Sequence, residues 1–388
     1  MIGGAGVISG TGPGRLAIRR LSLADFRCYS QLRLDTQSRP VVLTGPNGAG
    51  KTNLLEALSF LVPGRGMRRA SLGEIARHGS GDDGSWAVAA VLEDGGEIGT
   101  GREAGNERRS VRLDGQPAKP ADLAARLSAL WLTPAMDRLF SEGAGGRRRF
   151  LDRLAFGIAP GHAREASAYE HAMRERSRLL KVRREGGAGD PSWLAALEDG
   201  MARHGVAVAA NRVRAATLLD EACRRGIGPF PAARLAVVGE VEGWLVEGQE
   251  PPQAEDGLRS ALTRARARDE AAGCATMGPH RSDLAVRHAA KDLAVGQCST
   301  GEQKAVLVAI VLAQSRVQAA LTGRAPLLLL DEVVAHLDQV RRAALFDELC
   351  VLGAQSWMTG TDELLFDGFG DRAQFFRVAE ASVTPREV

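Results

Sequence analysis

Cysteine is sparse and dispersed in this chain of 388 residues. The five residues, Cys28, Cys223, Cys274, Cys298 and Cys350, all lie far apart in sequence. That spacing offers neither a zinc-binding pair nor a disulfide framework and fits a reducing cytoplasm. The seven histidines show no metal-ligand spacing either. Lysine is rarer still. Five positions carry it, against 45 arginines among the 50 basic residues, so one arginine alone says little about a partner. No continuous apolar run approaches the roughly 18–20 residues of a membrane-spanning helix. The N-terminal stretch Met1 to Gly14 is glycine-rich and uncharged. It lacks the basic and apolar regions of a secretory leader and reads as a loose tail. A cytoplasmic protein with no membrane contact is the expectation.

Hydrophobic residues at 44% and charged residues at 25% form an ordinary soluble balance, and the length allows two or three cooperating domains. The net charge of +3 decides little; its distribution is more informative. Arg138 to Glu185 holds 12 Lys/Arg against 6 Asp/Glu, which leaves the remainder acidic on balance.

Leu16 to Leu34 alternates apolar and polar residues and reads as a strand pair broken near Arg27. Val41 to Thr44 is a short buried strand followed by a glycine-rich turn. Leu54, Leu55, Ala57, Leu58 and Leu61 then repeat at helical spacing until Pro63-Gly64. Residues 86–115 read as antiparallel strands with turns at Asp94-Gly95-Gly96 and Asp114-Gly115. From Pro120 to Arg225 the pattern is helical, with a turn between two long helices at Gly186 to Asp190, and Pro251-Pro252 marks another break. Beyond Thr276 strand and helix signals alternate again. The fold class is therefore α/β, with nucleotide-type segments at both ends and a helical insertion between them. The boundaries fall at 1–120, 121–272 and 273–388.

Three motifs carry chemistry. Gly45-Pro46-Asn47-Gly48-Ala49-Gly50-Lys51-Thr52 fits G-x-x-x-x-G-K-[ST] between a strand and a helix, the context that makes this pattern a phosphate cradle. Its backbone N–H groups turn toward phosphate oxygens, Lys51 neutralises the β- and γ-phosphates of ATP, and the Thr52 hydroxyl is placed to ligate Mg²⁺. Leu327 to Leu330 is an apolar strand ending in Asp331 and Glu332. Asp331 suits holding Mg²⁺ through water, and Glu332 suits polarising an attacking water. Ser299-Thr300-Gly301-Glu302 opens an apolar helix 32 residues before Asp331, and Asp338 follows six residues after Glu332. By itself Ser-x-x-Glu is also an ordinary capping box. Beside the other two motifs it resembles the signature of the ABC ATPase superfamily, where Ser299, Gly301 and Glu302 would grip the γ-phosphate of nucleotide on an opposite subunit.

Together these residues resemble one family, the bacterial RecF proteins, over about Leu16 to Phe376. Leu23 to Arg27 resembles the family's opening strand and turn, and Gly64 to Arg69 a segment after the P-loop helix. Arg147 to Asp152 resembles a segment at the edge of the helical lobe. Gly278 to Leu284 is close to a hallmark before the signature, and Asp331 to Asp338 with Arg341 completes the Walker-B and D-loop stretch. Met358 to Asp362 stands where ABC transporters carry a switch histidine. The resemblance implies an ABC-type ATPase head, a mixed sheet with a P-loop core and an antiparallel β subdomain, with an inserted helical lobe and no long coiled coil. It implies ATP-driven head-to-tail dimerisation on DNA, slow hydrolysis that drives release, and work beside RecO and RecR in loading RecA at gaps. The alternative is the nucleotide-binding subunit of an ABC transporter. For the DNA, Arg65, Arg68 and Arg69 lie just beyond the P-loop helix, and Arg174, Arg178 and Lys181 share one face of a predicted helix. No aromatic residues interleave with these bases, so backbone contact without base readout is expected.

Overall fold

The computed structural model describes residues 16–77, 79, 84–186 and 190–386. The loose-tail reading of Met1 to Gly14 and part of the turn at 186–190 fall outside them. The first strands, β1 (Ile18–Phe26) and β2 (Tyr29–Asp35), form the expected pair. Arg27, at φ 56°, makes the break between them. Strand β3 (Val41–Thr44) leads through the glycine-rich loop into α1 (Lys51–Ser59), and a short α2 (Leu72–Ile75) follows. Strands β4 (Trp86–Leu92), β5 (Glu97–Arg102), β6 (Ser110–Leu113) and β7 (Gln116–Pro117) extend β1 and β2 into an antiparallel sheet ordered β2-β1-β4-β5-β6-β7. Both predicted turns lie in it.

The segment from Pro120 departs from its helical reading. It contains β8 (Ala129–Leu132), which pairs in parallel with β12 (Leu327–Leu330). Four consecutive residues, Ala129 to Leu132, are buried. A strand covered on both faces carries no alternation to distinguish it from a buried helical turn. Helices then dominate: α3 (Ala144–Ile158), α4 (His162–Arg184) and α5 (Pro191–Arg224). Strand β9 (Ala233–Val238) interrupts them before α6 (Glu240–Val246), α7 (Pro251–Arg264) and α8 (Arg266–Ala272). It pairs with β10 (Asp283–His288), which also holds β11 (Leu293–Ala294). The stretch 121–272 is thus not wholly helical. Through β8 and β9 it contributes strands that pair with the C-terminal segment.

Helix α9 (Thr300–Thr322) precedes β12, and α10 (Gln339–Leu352), β13 (Ser356–Gly360), β14 (Gln374–Ala379) and β15 (Ser382–Pro385) complete the chain. The central sheet runs β15-β14-β3-β13-β12-β8, parallel except at the β15 edge. Its strands alternate between two cores. Leu327, Leu329, Trp357, Val41 and Leu43 pack with Leu54 and Leu58 of α1. Leu328, Leu330, Met358 and Val42 face Val306 and Ile310 of α9. Each buried leucine contributes about 2 kcal/mol, so the strand is fixed from both sides.

By length and composition α9 is apolar enough to cross a membrane, but two-thirds of that window is buried within the protein. It is the core helix between the central sheet and α3, α5 and α10, and its buried residues run almost unbroken from Gln303 to Ser315. The longest helix, α5, has 34 residues and spans about 50 Å, with α4 packed along it. Arg176 of α4 is fully buried between Glu198 of α5 at 3.0 Å and Asp269 of α8 at 2.6 Å. Its charge serves the lobe's interior. The excess of basic residues counted over 138–185 therefore overstates the basic surface.

Candidate functional site

Adjacent strand ends assemble the site. The parallel register sets Thr44 of β3 beside Gly360 of β13, and Met358 of β13 beside Leu330 of β12. The P-loop, Thr359 and Asp331 therefore emerge along one carboxyl edge of the sheet, the side on which open α/β sheets bind ligands.

The glycines of Gly45 to Thr52 are required by their neighbours. A Cβ on Gly45, at φ 149°, would lie 2.1 Å from the Val378 carbonyl of β14. One on Gly50, at φ 110°, would lie 2.7 Å from the Tyr29 hydroxyl. The loop thus runs close against β14 and the β1–β2 turn. Pro46, Asn47, Gly48 and Ala49 form its crown, with Gly48 also at positive φ. Gly50 caps α1 without a side-chain hydrogen bond to the helix, and although Asn53 N donates to the Gly50 carbonyl, the N–H groups of Lys51 and Thr52 remain for an anion. Lys51 is 4% exposed, and its Nζ donates to the carbonyls of Gly45 at 2.7 Å and Pro46 at 2.8 Å. An ammonium has three donors, so one remains for a phosphate oxygen. Burial pulls the Lys51 pKa down, and the charges of Glu332 and Asp331 oppose that shift.

Asp331 is buried and accepts hydrogen bonds at Oδ1 from Thr52 Oγ1 at 3.0 Å and Thr359 Oγ1 at 2.7 Å. A hydroxyl and a carboxylate side by side are the hard oxygens that Mg²⁺ takes, so Thr52 and Asp331 fit the expected pair. Thr359 Oγ1 also accepts from the Glu332 backbone N–H at 2.9 Å, where Glu332 sits at φ 56°. Among the described residues no side chain or backbone group donates to the Glu332 carboxylate, which is free to take a water. Sequence reasoning located the switch position but not its contacts. The strand that carries Thr359, all five residues of it buried, gave no period to follow.

Ser299, Gly301 and Glu302 do not join this cluster within the chain. The Ser299 hydroxyl accepts from Glu302 N, and Glu302 accepts from Ser299 N, the capping box in full. Lys291 binds Glu302 at 2.6 Å. That contact, ahead of the Ser299 backbone bond, holds the Glu302 carboxyl well below its usual range. Ser299 and Gly301 are exposed, so the start of α9 faces outward. Asp338 caps α10 by accepting from Arg341 N at 2.8 Å and lies 3.5 Å from the Arg341 guanidinium.

The segments 147–152 and 278–284, far apart in sequence, form one knot. Arg147 makes a bidentate pair with Asp283 at 2.8 and 2.7 Å, and Arg148 donates to the Ser282 carbonyl. Arg212 of α5 pairs with both oxygens of Asp152 and donates to the Pro279 carbonyl and the Ser282 hydroxyl. Gly278, at φ 123°, accommodates the Tyr169 hydroxyl, which a Cβ would meet at 2.2 Å. The knot fastens the helical lobe to the strand before α9.

The basic residues divide. Arg68 is bound to Asn53 at 2.9 Å and to the buried Glu56 at 3.3 Å, both on α1, where Glu56 also pairs with Arg27 at 2.7 Å. Arg68 therefore braces the P-loop helix, and its guanidinium is already engaged within the chain. Arg65 and Arg69 are exposed and carry no ion pair among the described residues. Arg174, Arg178 and Lys181 all lie on the exposed side of α4. Arg178 pairs with Glu175, and Lys181 lies 3.9 Å from Glu185.

A glycine-rich loop at a helix start, a strand-end acid hydrogen-bonded to the loop's threonine and an inserted helical lobe define the head of an ABC-type ATPase. The family model for the RecF/RecN/SMC N-terminal domain matches residues 17–368. Within that class the chain belongs to the RecF family. It is 48% identical over 379 residues to the DNA replication and repair protein RecF of Rhizobium etli, covering 96% of this chain and 99% of the relative. It is 50% identical over 381 residues to the protein of the same name from Caulobacter vibrioides, covering 96% and 98%. Its fold matches a solved structure of the recombination mediator RecF with ATP at a TM-score of 0.79, 21% identity and coverage of 96% and 99%. The Smc head of Pyrococcus furiosus aligns less closely, at a TM-score of 0.53 and 15% identity over 96% of each chain. The expected family and head architecture are borne out, with no long coiled coil among the described residues, and the transporter-subunit alternative falls away.

Proposed function

We propose that this protein is an ATP-dependent DNA-binding switch of cytoplasmic DNA replication and recombinational repair. ATP binding with Mg²⁺ pairs two copies head-to-tail on DNA, and slow hydrolysis releases them. The observation that carries this reading is the bond of Asp331 to Thr52 and Thr359 beside Lys51 and Glu332. Phosphoryl transfer needs mainly such positioning and charge. The name of the solved recombination mediator in the RecFOR pathway supports RecO and RecR as partners, and the loading of RecA at gaps is the role read for the protein beside them.

The head-to-tail arrangement rests on Ser299 to Glu302 and on Asp338. These residues form no hydrogen bond with the P-loop of their own chain, and α9 presents an outward N-terminus, the end of a helix that attracts anions. A second copy would bring that end to the γ-phosphate. Ser299→Arg is expected to leave ATP binding by the monomer within a few-fold of wild type and to abolish ATP-induced dimerisation, read by light scattering with and without ATP. Mixing Ser299→Arg with Lys51→Ala protein should restore one intact composite site per mixed dimer. A Ser299→Arg chain that dimerises normally with ATP would refute the arrangement.

DNA is expected to meet the basic surface by its phosphates, on Arg65 and Arg69 and on the α4 face of Arg174, Arg178 and Lys181. Affinity should then fall steeply with salt, with a log–log slope of roughly −0.9 per phosphate neutralised on duplex. Replacing Arg65 and Arg69 with alanine should flatten the slope by about 2 and weaken unrelated sequences equally. A salt titration with ATP present reads this directly. An unchanged slope would move the contact to the α4 face alone.

A further inference from the structure

Beside the P-loop helix, the loop after α1 and helices α3 and α4 line a half-open cavity of about 590 Å³. It lies within the size range of small-molecule sites. Four arginines line it: Arg65 and Arg69 from the loop, Arg149 and Arg153 from α3. Arg65, Arg69 and Arg149 are exposed at its rim and Arg153 is half-buried, whereas the buried Arg176 and Arg212 of the same lobe are paired with Glu198 and Asp152. None of these four has an ion pair or hydrogen bond among the described residues. Arg153 is the most telling. Its guanidinium lies 3.8 Å over the Trp131 ring, and its Nε and Nη1 are buried without a hydrogen-bond partner. A buried donor left unpaired calls for an explanation.

The four charges also oppose one another. Burial first, then Arg149 and Arg69, depress the Arg153 pKa to about 9. Burial, then Arg149 and Arg65, lower that of Arg69. Of the acids on the wall, Glu170 offsets this only in part, at Arg69. Glu142 and Glu170 stand outside ion-pair distance of all four, and Asp152 is already held by Arg212 and His162. The loop is built to hold this shape. Arg69 sits at φ 59°, and Arg109 ties the loop from the antiparallel sheet by donating to the Gly64 carbonyl at 2.8 Å and to the Phe60 carbonyl. The rest of the lining is largely apolar, including Met67, Met136, Leu139 and Phe156.

We propose that this cavity is a second ligand site, separate from the P-loop, which takes a nucleoside phosphate. The arginines hold the phosphate, and the apolar wall receives the base. Guanidinium groups suit this because they bind phosphate oxygens in pairs. The same chemistry could arrive as a free nucleotide or as the phosphorylated end of a DNA strand. The site does not depend on hydrolysis or dimerisation, so it is tested where both are disabled.

The experiment is calorimetric titration of the full-length Lys51→Ala chain with dAMP and with an eight-nucleotide strand carrying a 5′-phosphate or a 5′-hydroxyl. Adding Arg149→Glu, an exposed and unpaired position, is expected to weaken binding at least about tenfold by inverting one of the four charges. Arg65→Glu should do the same, which guards against a folding defect in either variant. A 5′-phosphate preference that Arg149→Glu removes identifies the strand end as the source. Binding of dAMP alone, lost in the same variant, identifies the free nucleotide. Absence of binding in the Lys51→Ala chain, or binding that both charge reversals leave unchanged, overturns the proposal.

Discussion

Glu332→Gln is expected to bind ATP as tightly as the wild type and to hydrolyse it on the order of 100-fold or more slowly. The backbone here holds the carboxylate in place. Glu332 N donates to Thr359 Oγ1 at 2.9 Å, the same hydroxyl that donates to Asp331. The amide keeps that anchor, because the bond is made by the main chain, and keeps the side chain's shape. It loses the negative charge that favours positive charge developing on an attacking water. The affected step is therefore hydrolysis alone. If hydrolysis triggers release, the variant should accumulate as a dimer with ATP bound. Phosphate release measured beside an ATP titration separates the two effects. Wild-type turnover would mean that another group positions the water.

Lys51→Ala should fail at the earlier step. Truncating a buried charged partner costs on the order of 2–5 kcal/mol, and at 1.4 kcal/mol per tenfold the expected loss of ATP affinity is about 30-fold or more. No other lysine stands in the loop to compensate, since the next in sequence is Lys119. Removing the ammonium also leaves the Gly45 and Pro46 carbonyls without their donor, so the loop itself should loosen. A fluorescent ATP analogue titrated against both proteins reads the change, and equal affinities would remove Lys51 from the phosphate site. Glu332→Gln and Lys51→Ala thus differ in kind: the first should hold ATP without cleaving it, and the second should not hold it.

Local chemistry was legible wherever it is contiguous. Gly45 to Thr52 needs its glycines where they fall, because β14 and the β1–β2 turn leave no room for a side chain at Gly45 or Gly50. Four apolar residues before Asp331-Glu332 announce a strand covered on both faces. The break at Arg27 and the turn at Asp114-Gly115 were also visible, since positive φ and turn chemistry are local properties. Other elements left no such trace. Strands β8 and β13 are fully buried and so lack alternation. Arg176 looks like any other arginine on a charged helix until Asp269 and Glu198 close around it.

The phosphate cradle, the strand-end acids, the family resemblance and the order of head, insertion and head could all be read along the chain. Each of these depends on residues adjacent in the chain or on one helical or strand period. Tertiary structure alone decided which groups meet. It brought Thr359 to Asp331 across 28 positions and Thr52 to Asp331 across 279. It joined Arg147 to Asp283, tied Arg68 into α1 and left Arg65, Arg69, Arg149 and Arg153 around one cavity. Whether an arginine binds an acid within the chain or remains open to a ligand is settled by what packs beside it. That depends on distances in space, which sequence separation does not encode.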